Sequence, residues 1–291
     1  MIFLLLSVLA STLIFVTFKL FERFKINILQ AIVANYWVAF STAIIAYRTS
    51  VSIAQLPQFG WFYYALALGA LFILVFNLMA ITTQQSGLSV VSVATKMSFV
   101  IPVLFGLFYY KESIGFLKLF GILLALTAVY LTSIRSKQGI NINRKYILFP
   151  VLVFIGSGII DTSIKFLEET FVAQNDIPLF SAVLFLAAGI VGIFILIIQA
   201  IRGNFKFEFK NIIGGICLGI PNYFSIYFLV KTLRSDILES SGIFTVNNVA
   251  IVTLSTLAGI ILFKEKLSQR NWLGIIFAVI GIFLIAMSFQ I

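Results

Sequence analysis

A chain of 291 residues with 61% hydrophobic and only 10% charged side chains cannot cover a soluble domain, where about 45–50% apolar and about 25% charged residues are usual. Its net charge of +10 is scattered over short polar segments, which argues against a nucleic-acid partner and for anchoring at a lipid bilayer. Histidine is absent and Cys217 is the single cysteine, which excludes His-based catalytic dyads, histidine-ligated metals and a disulfide framework; no cofactor is expected.

Apolar stretches of about 20 residues, enough to cross roughly 30 Å of hydrocarbon, recur from end to end. In chain order the predicted spans are Ile2 to Phe18, Ile28 to Tyr47, Trp61 to Ile81, Leu88 to Tyr110 and Ile114 to Ile134. Tyr146 to Lys165, Pro178 to Ile201, Asn211 to Lys231, Ser240 to Phe263 and Trp272 to Phe289 complete a set of ten. These runs lack the period-2 alternation of barrel strands, and a helix satisfies its own backbone groups in lipid, so the expected fold is all-α and integral to the membrane. No connection is long enough for a soluble domain, so binding must occur inside the bundle. The opening MIFLLLSVLA lacks the basic n-region of a signal peptide and is expected to be retained.

The strongest organisational signal is a duplication. Residues 109–133, YYKESIGFLKLFGILLALTAVYLTS, match 262–286, LFKEKLSQRNWLGIIFAVIGIFLIA, with Lys111-Glu112 over Lys264-Glu265 and Gly121 over Gly274. Phe18-Lys19-Leu20-Phe21-Glu22 likewise matches Ile164-Lys165-Phe166-Leu167-Glu168, and one seven-residue insertion reconciles the two offsets of 153 and 146. The expected halves are residues 1–136 and 144–291, joined by a linker at 137–143. Five spans is an odd number, so the second half enters from the opposite face. Such inverted repeats are a recurrent plan of secondary transporters, which bind substrate near the midplane where the halves meet.

On these features the chain resembles the drug/metabolite transporter (DMT) superfamily, specifically its EamA-like ten-helix branch. The carriers of the resemblance are the two five-helix halves, the lysine ending the first helix of each (Lys19 and Lys165), and the acidic residue after each fourth helix before a glycine-containing fifth. The resemblance implies a transporter, most simply an exporter, of a small metabolite such as an amino acid or other organic anion across the inner membrane. It leaves the substrate open. Loops after the odd-numbered spans hold 13 Lys/Arg against six in the others, so the positive-inside rule puts both termini outside, whereas the resemblance implies termini inside.

Ionisable groups at membrane depth cost at least about 2.5–3.5 kcal/mol on insertion scales and mark candidate sites. Asp161 has Lys165 four residues on, the spacing of an ion pair on one helical face, and is also a candidate for coupling transport to protons. Lys96 has no acidic residue three or four positions away and is the foremost candidate to meet an anionic substrate. Counted at 1.5 Å per residue from their entry points, Lys96 and Asp161 differ in depth by about 10 Å, which argues against a bridge between them. Asn247 and Asn248 in the ninth span, Asn77 in the third and Asn222 in the eighth complete the candidate substrate-binding set. Hydrogen bonding between helices accounts equally well for such amides. Pro102 and Pro221 are expected to bend their helices. Glu112 and Glu265, at span ends, read as helix caps or loop-ordering groups rather than catalysts. A sensor or scaffold that moves nothing is the alternative; an aspartyl dyad is disfavoured because Asp161 is the only aspartate at depth.

Overall fold

The computed structural model describes residues 1–47, 53–86, 94–112, 115–133, 148–203, 205–235, 237–264 and 269–288. Among them the secondary structure is helical, without a strand. The principal helices are α1 (Ile2–Phe24), α2 (Ile28–Ala46), α3 (Phe62–Ser86), α4 (Val100–Tyr109) and α5 (Phe116–Ser133), followed by α6 (Leu148–Phe171), α7 (Ile177–Ile201), α8 (Phe209–Leu233), α9 (Ser240–Phe263) and α10 (Gln269–Met287). Eight of the described helices are long and apolar enough to cross a membrane, and two shorter apolar stretches, Ala94–Tyr109 and Phe116–Leu131, accompany them. Large apolar side chains such as Phe108, Phe116, Ile201 and Phe283 face outward, as the hydrocarbon of a bilayer requires of a multi-pass protein. The expected linker at 137–143 and Glu265 lie outside the described residues.

Three helices clearly outrun the apolar stretches that announce them. α1 continues to Phe24, α3 to Ser86 and α6 to Phe171, past the predicted ends at Phe18, Ile81 and Lys165. In α6 the extra turns are supported by ion pairs from Lys165 Nζ to Glu168 at 3.9 Å and to Glu169 at 3.2 Å, at the spacings that a helix brings together. Hydropathy ends where lipid ends; the helix need not. The two prolines behave differently. Residues 94–97 are helical, Ser98 and Phe99 form a turn, and α4 begins at Val100, just before Pro102. Pro102 has no N–H for the Ser98 carbonyl, which instead accepts from the Ile101 N–H at 3.0 Å. Pro221 sits inside the unbroken α8.

The chain resolves into two compact units. The first gathers Met1–Val8, Val75–Thr162 and Thr232–Ile291. Its chief seam joins α5 to α10. Gly121 lies against Ile285 and Gly281, Gly281 lies against Gly121 and Ala125, and the Asn271 side-chain amide donates to the Leu131 carbonyl at 3.0 Å. Low numbers on one helix face high numbers on the other, so the pair is antiparallel. α9 packs on α4, α5 and α10. The start of α6 joins this unit through Gly156 against Val75 and Gly158 against Ile101.

The second unit is Leu9–Leu74 with Ser163–Lys231. Here α2 lies against α7. Val33 meets Gly192, Trp37 meets Gly189, the Tyr36 and Phe185 rings stack at 6.3 Å, and the Tyr47 hydroxyl donates to Asp176 at 3.4 Å. This pair is again antiparallel. On its other side α2 runs beside α8, where Gly215 and Gly219 admit the α2 backbone: a Cβ at Gly219 would lie 2.7 Å from the Asn35 carbonyl oxygen. Amides stitch the same seam. Asn211 accepts from the Asn27 N–H at 2.9 Å and donates to the Gln30 side-chain oxygen at 2.7 Å, while the Gln30 amide donates to the Lys206 carbonyl at 2.9 Å.

Three lysines, Lys25, Lys111 and Lys264, adopt left-handed backbone with φ of 50°, 54° and 54°. Each follows a helix end, where glycine is the usual occupant of that conformation and where a cation complements the helix dipole.

Candidate functional site

The first unit holds most of the polar residues singled out by the sequence: Asn77, Lys96, Asp161, Asn247 and Asn248. Lys96 and Asp161 act on each other electrostatically, each supplying the opposite charge in the other's surroundings. The depth count from Leu88 did not anticipate this interaction; Lys96 lies five residues before Ile101, and Asp161 three after the Gly158 that packs on Ile101. A buried cation and a buried anion that feel each other's charge cost far less than either alone. The ion pairs of Lys165 with Glu168 and Glu169 lie beyond Asp161, in the second unit.

On α9, Asn247 and Asn248 are both buried, at 5% and 9% exposure. The Asn248 amide donates to the Phe244 carbonyl one turn back at 3.0 Å. Asn247 Oδ1 is buried and, among the described residues, has no hydrogen-bond donor. Thr95 Oγ1, beside Lys96, is in the same condition. Buried acceptors without donors are uncommon in folded proteins and each needs a reason. Asn77 is half-buried on the part of α3 that belongs to this unit.

Asn222 stands apart. It lies in the second unit, where its amide donates to Asn35 Oδ1 at 3.1 Å and Asn35 in turn donates to the Ile32 carbonyl at 3.4 Å. That is the interhelical role, in line with the amides of Asn27, Gln30 and Asn211 along the same seam.

Sequence reasoning treated Glu112 as a simple end group and did not find its partners. The Glu112 carboxylate, with its side chain 8% exposed, accepts hydrogen bonds from the hydroxyls of Ser240 and Ser241 and from the Ser241 N–H at 3.2 Å. Lys118 Nζ approaches it at 3.4 Å and also pairs with Glu239. Burial pushes the Glu112 carboxyl up, but the hydroxyls of Ser240 and Ser241, the Lys118 ammonium and the Ser241 N–H together outweigh it and hold the group below the ordinary carboxylate range. Glu239 at the N-cap of α9 makes no side-chain cap of its own. Glu112 supplies that cap from the far end of α4, placing an anion at a helix N-terminus where the dipole favours one. Gly106 leaves the space: a Cβ there would lie 2.9 Å from the Glu112 carboxylate and 3.1 Å from Ser240 Oγ. A pair of serines opening a helix whose own N-cap glutamate makes no cap was the available hint.

No family model matches the chain. An uncharacterized protein of Haemophilus influenzae is 29% identical over 288 residues, covering 96% of this chain and 96% of its own. A protein of known crystal structure superposes with a TM-score of 0.74 over 98% of both chains at 13% identity, a likeness of fold alone.

Proposed function

We propose that this protein is a secondary transporter of a small metabolite, built as two inverted repeats of five membrane-spanning helices in the manner of the EamA-like branch of the drug/metabolite transporters. The observation that carries the reading is the seating of corresponding helices on one another. If α1–α5 and α6–α10 are the two halves, α2 and α7 are counterparts, as are α5 and α10, and both pairs pack antiparallel. Counterparts related by an axis in the membrane plane must run antiparallel. A second sign is independent of packing. Lys111 and Lys264, superposed by the sequence repeat, both adopt φ of 54°, a backbone conformation that costs a non-glycine residue roughly 1–2 kcal/mol.

Lys96 with Asp161 forms the charged heart of the proposed site, and Asn77, Asn247 and Asn248 supply uncharged polar groups. Intramembrane ionisable residues that pair with one another mark substrate and ion pathways. Lys96 would hold the anionic group of a substrate such as an amino acid or another organic anion, displacing Asp161, which is then free to take a proton. The direction is proposed as export and the location as the inner (plasma) membrane. The test is flux. Purified protein in proteoliposomes should move at least one member of a panel of amino acids, carboxylates, sugar phosphates and nucleosides under an imposed pH gradient. No flux across the panel, from protein that is folded and inserted, would favour a sensor or scaffold.

A further inference from the structure

We propose that Glu112, Lys118 and the Glu239–Ser241 turn form a clasp that shuts one end of the transport path by tying the α4–α5 connection to the start of α9. The inference rests on the transporter reading, since a clasp needs a path to shut. It joins the two sequence halves: Glu112 and Lys118 belong to the first, and Glu239, Ser240 and Ser241 to the second.

Four features suit this cluster to opening and closing rather than to permanent support. Its members sit at helix ends, where water is within reach, not in the apolar middle of the bundle. Every group in it can be hydrated when parted: two carboxylates, an ammonium, two hydroxyls and an N–H. Breaking it orphans nothing. A buried ion cluster is also a poor source of net stability compared with apolar packing, so its presence asks for another role. The seam between α5 and α10 has the opposite character, with Gly121 and Gly281 in backbone contact and no charge between them.

The geometry of the two connected segments adds direction. The left-handed turn at Lys111 reverses the chain after α4 and delivers Glu112 to α9. From Ser240, seven residues or about 10 Å along α9, lies Asn247, whose buried Oδ1 lacks a donor among the described residues. The clasp thus closes directly outside a polar atom that is waiting for a partner.

The experiment needs no knowledge of the substrate. On a Cys217→Ser background, reporter cysteines are placed one at a time by Thr245→Cys and Asn247→Cys, and labelled with a membrane-impermeant maleimide added on the Glu112 face. Glu112→Gln and Lys118→Met should each speed labelling about tenfold, because the open form is a minor state until the clasp is weakened. A Glu112→Cys/Ser241→Cys pair, when oxidised, should suppress labelling, and reduction should restore it. A merely structural cap predicts otherwise: a lower thermal midpoint in Glu112→Gln with labelling unchanged. Unchanged labelling at both reporters, in variants that remain monodisperse, overturns the clasp. Flux with unchanged labelling would sink the clasp and keep the transporter; absence of flux from folded, inserted protein would sink the transporter reading and the clasp with it.

Discussion

Gly121 and Gly281 touch backbone to backbone: a Cβ on either would lie 3.1 Å from the carbonyl oxygen of the other. Side-chain bulk at this crossing must push α5 and α10 apart, and overpacking of this kind costs about 1–3 kcal/mol. Gly281→Leu should therefore lower the thermal midpoint of the detergent-purified protein substantially, and Gly281→Ala only slightly. Equal midpoints for wild type and Gly281→Leu, followed by size-exclusion after heating, would contradict the packing described.

Asn222 and Asn35 should behave as a helix–helix pair. Their amides are 3.1 Å apart, and interhelical hydrogen bonds in membrane proteins average about 0.6 kcal/mol by double-mutant cycles. Asn35→Ala and Asn222→Ala should be non-additive by roughly that amount, and neither should change substrate preference in the flux assay. A shift in preference with Asn222→Ala would return that residue to the binding site.

For Lys96 and Asp161 the informative experiment compares single with double substitutions. Removing one partner of a buried pair leaves an uncompensated charge and costs about 3–5 kcal/mol, whereas replacing both with apolar residues is often neutral. Lys96→Met should thus destabilise, Lys96→Met/Asp161→Leu should recover the midpoint, and neither should carry an anionic substrate. Flux restored along with stability in the double variant would make the pair structural.

The pH dependence of Glu112 has a definite sign. Its carboxyl is held below the ordinary value of about 4.3, so the folded state binds its proton less readily than the unfolded chain does. The stability it adds is present in full above that ordinary value and is lost as pH falls through the depressed one. The gap in thermal midpoint between wild type and Glu112→Ala should hold constant from neutral pH down to about pH 5 and shrink only in stronger acid. A gap that closes between pH 7 and 6 would show that the carboxyl is not held low.

Within the second unit, Gln30 and Asn27 reach Lys206 and Asn211, while Tyr47 reaches Asp176 at the other end of α2. Single cysteines at Lys25 and Arg202 should accordingly label from one face of the membrane and a cysteine at Asn175 from the other. Which face is cytoplasmic would also settle whether the loop charges or the family resemblance gives the right orientation.

The helices were legible because an apolar run of spanning length has one cheap answer in lipid. Contacts that depend on geometry were not. Ser240 and Glu112 are 128 residues apart, so no local pattern connects them. Lys96 and Asp161 looked mismatched in depth because a count along each helix separately says nothing of how the two pack, with Gly158 of α6 against Ile101. For Asn222 the composition allowed two roles, and its hydrogen bond to Asn35 on the facing helix was not visible in the sequence. Pro221, by contrast with Pro102, does not interrupt the helix that contains it.

The α5–α10 seam also constrains how the protein is made. Gly121 and Gly281 are 160 positions apart in the chain, and at roughly 5–20 residues per second a ribosome takes about ten to thirty seconds to cover that interval. Throughout it, the face of α5 around Gly121 and Ala125 has no α10 to cover it, and α2 likewise waits for α7. Small-residue faces of this kind attract other helices. The nascent α1–α5 segment must therefore be sheltered, by the insertion machinery or by lipid alone, from pairing with the wrong neighbour. A fragment ending before α7 would carry the same uncovered faces permanently and be a target for membrane quality control.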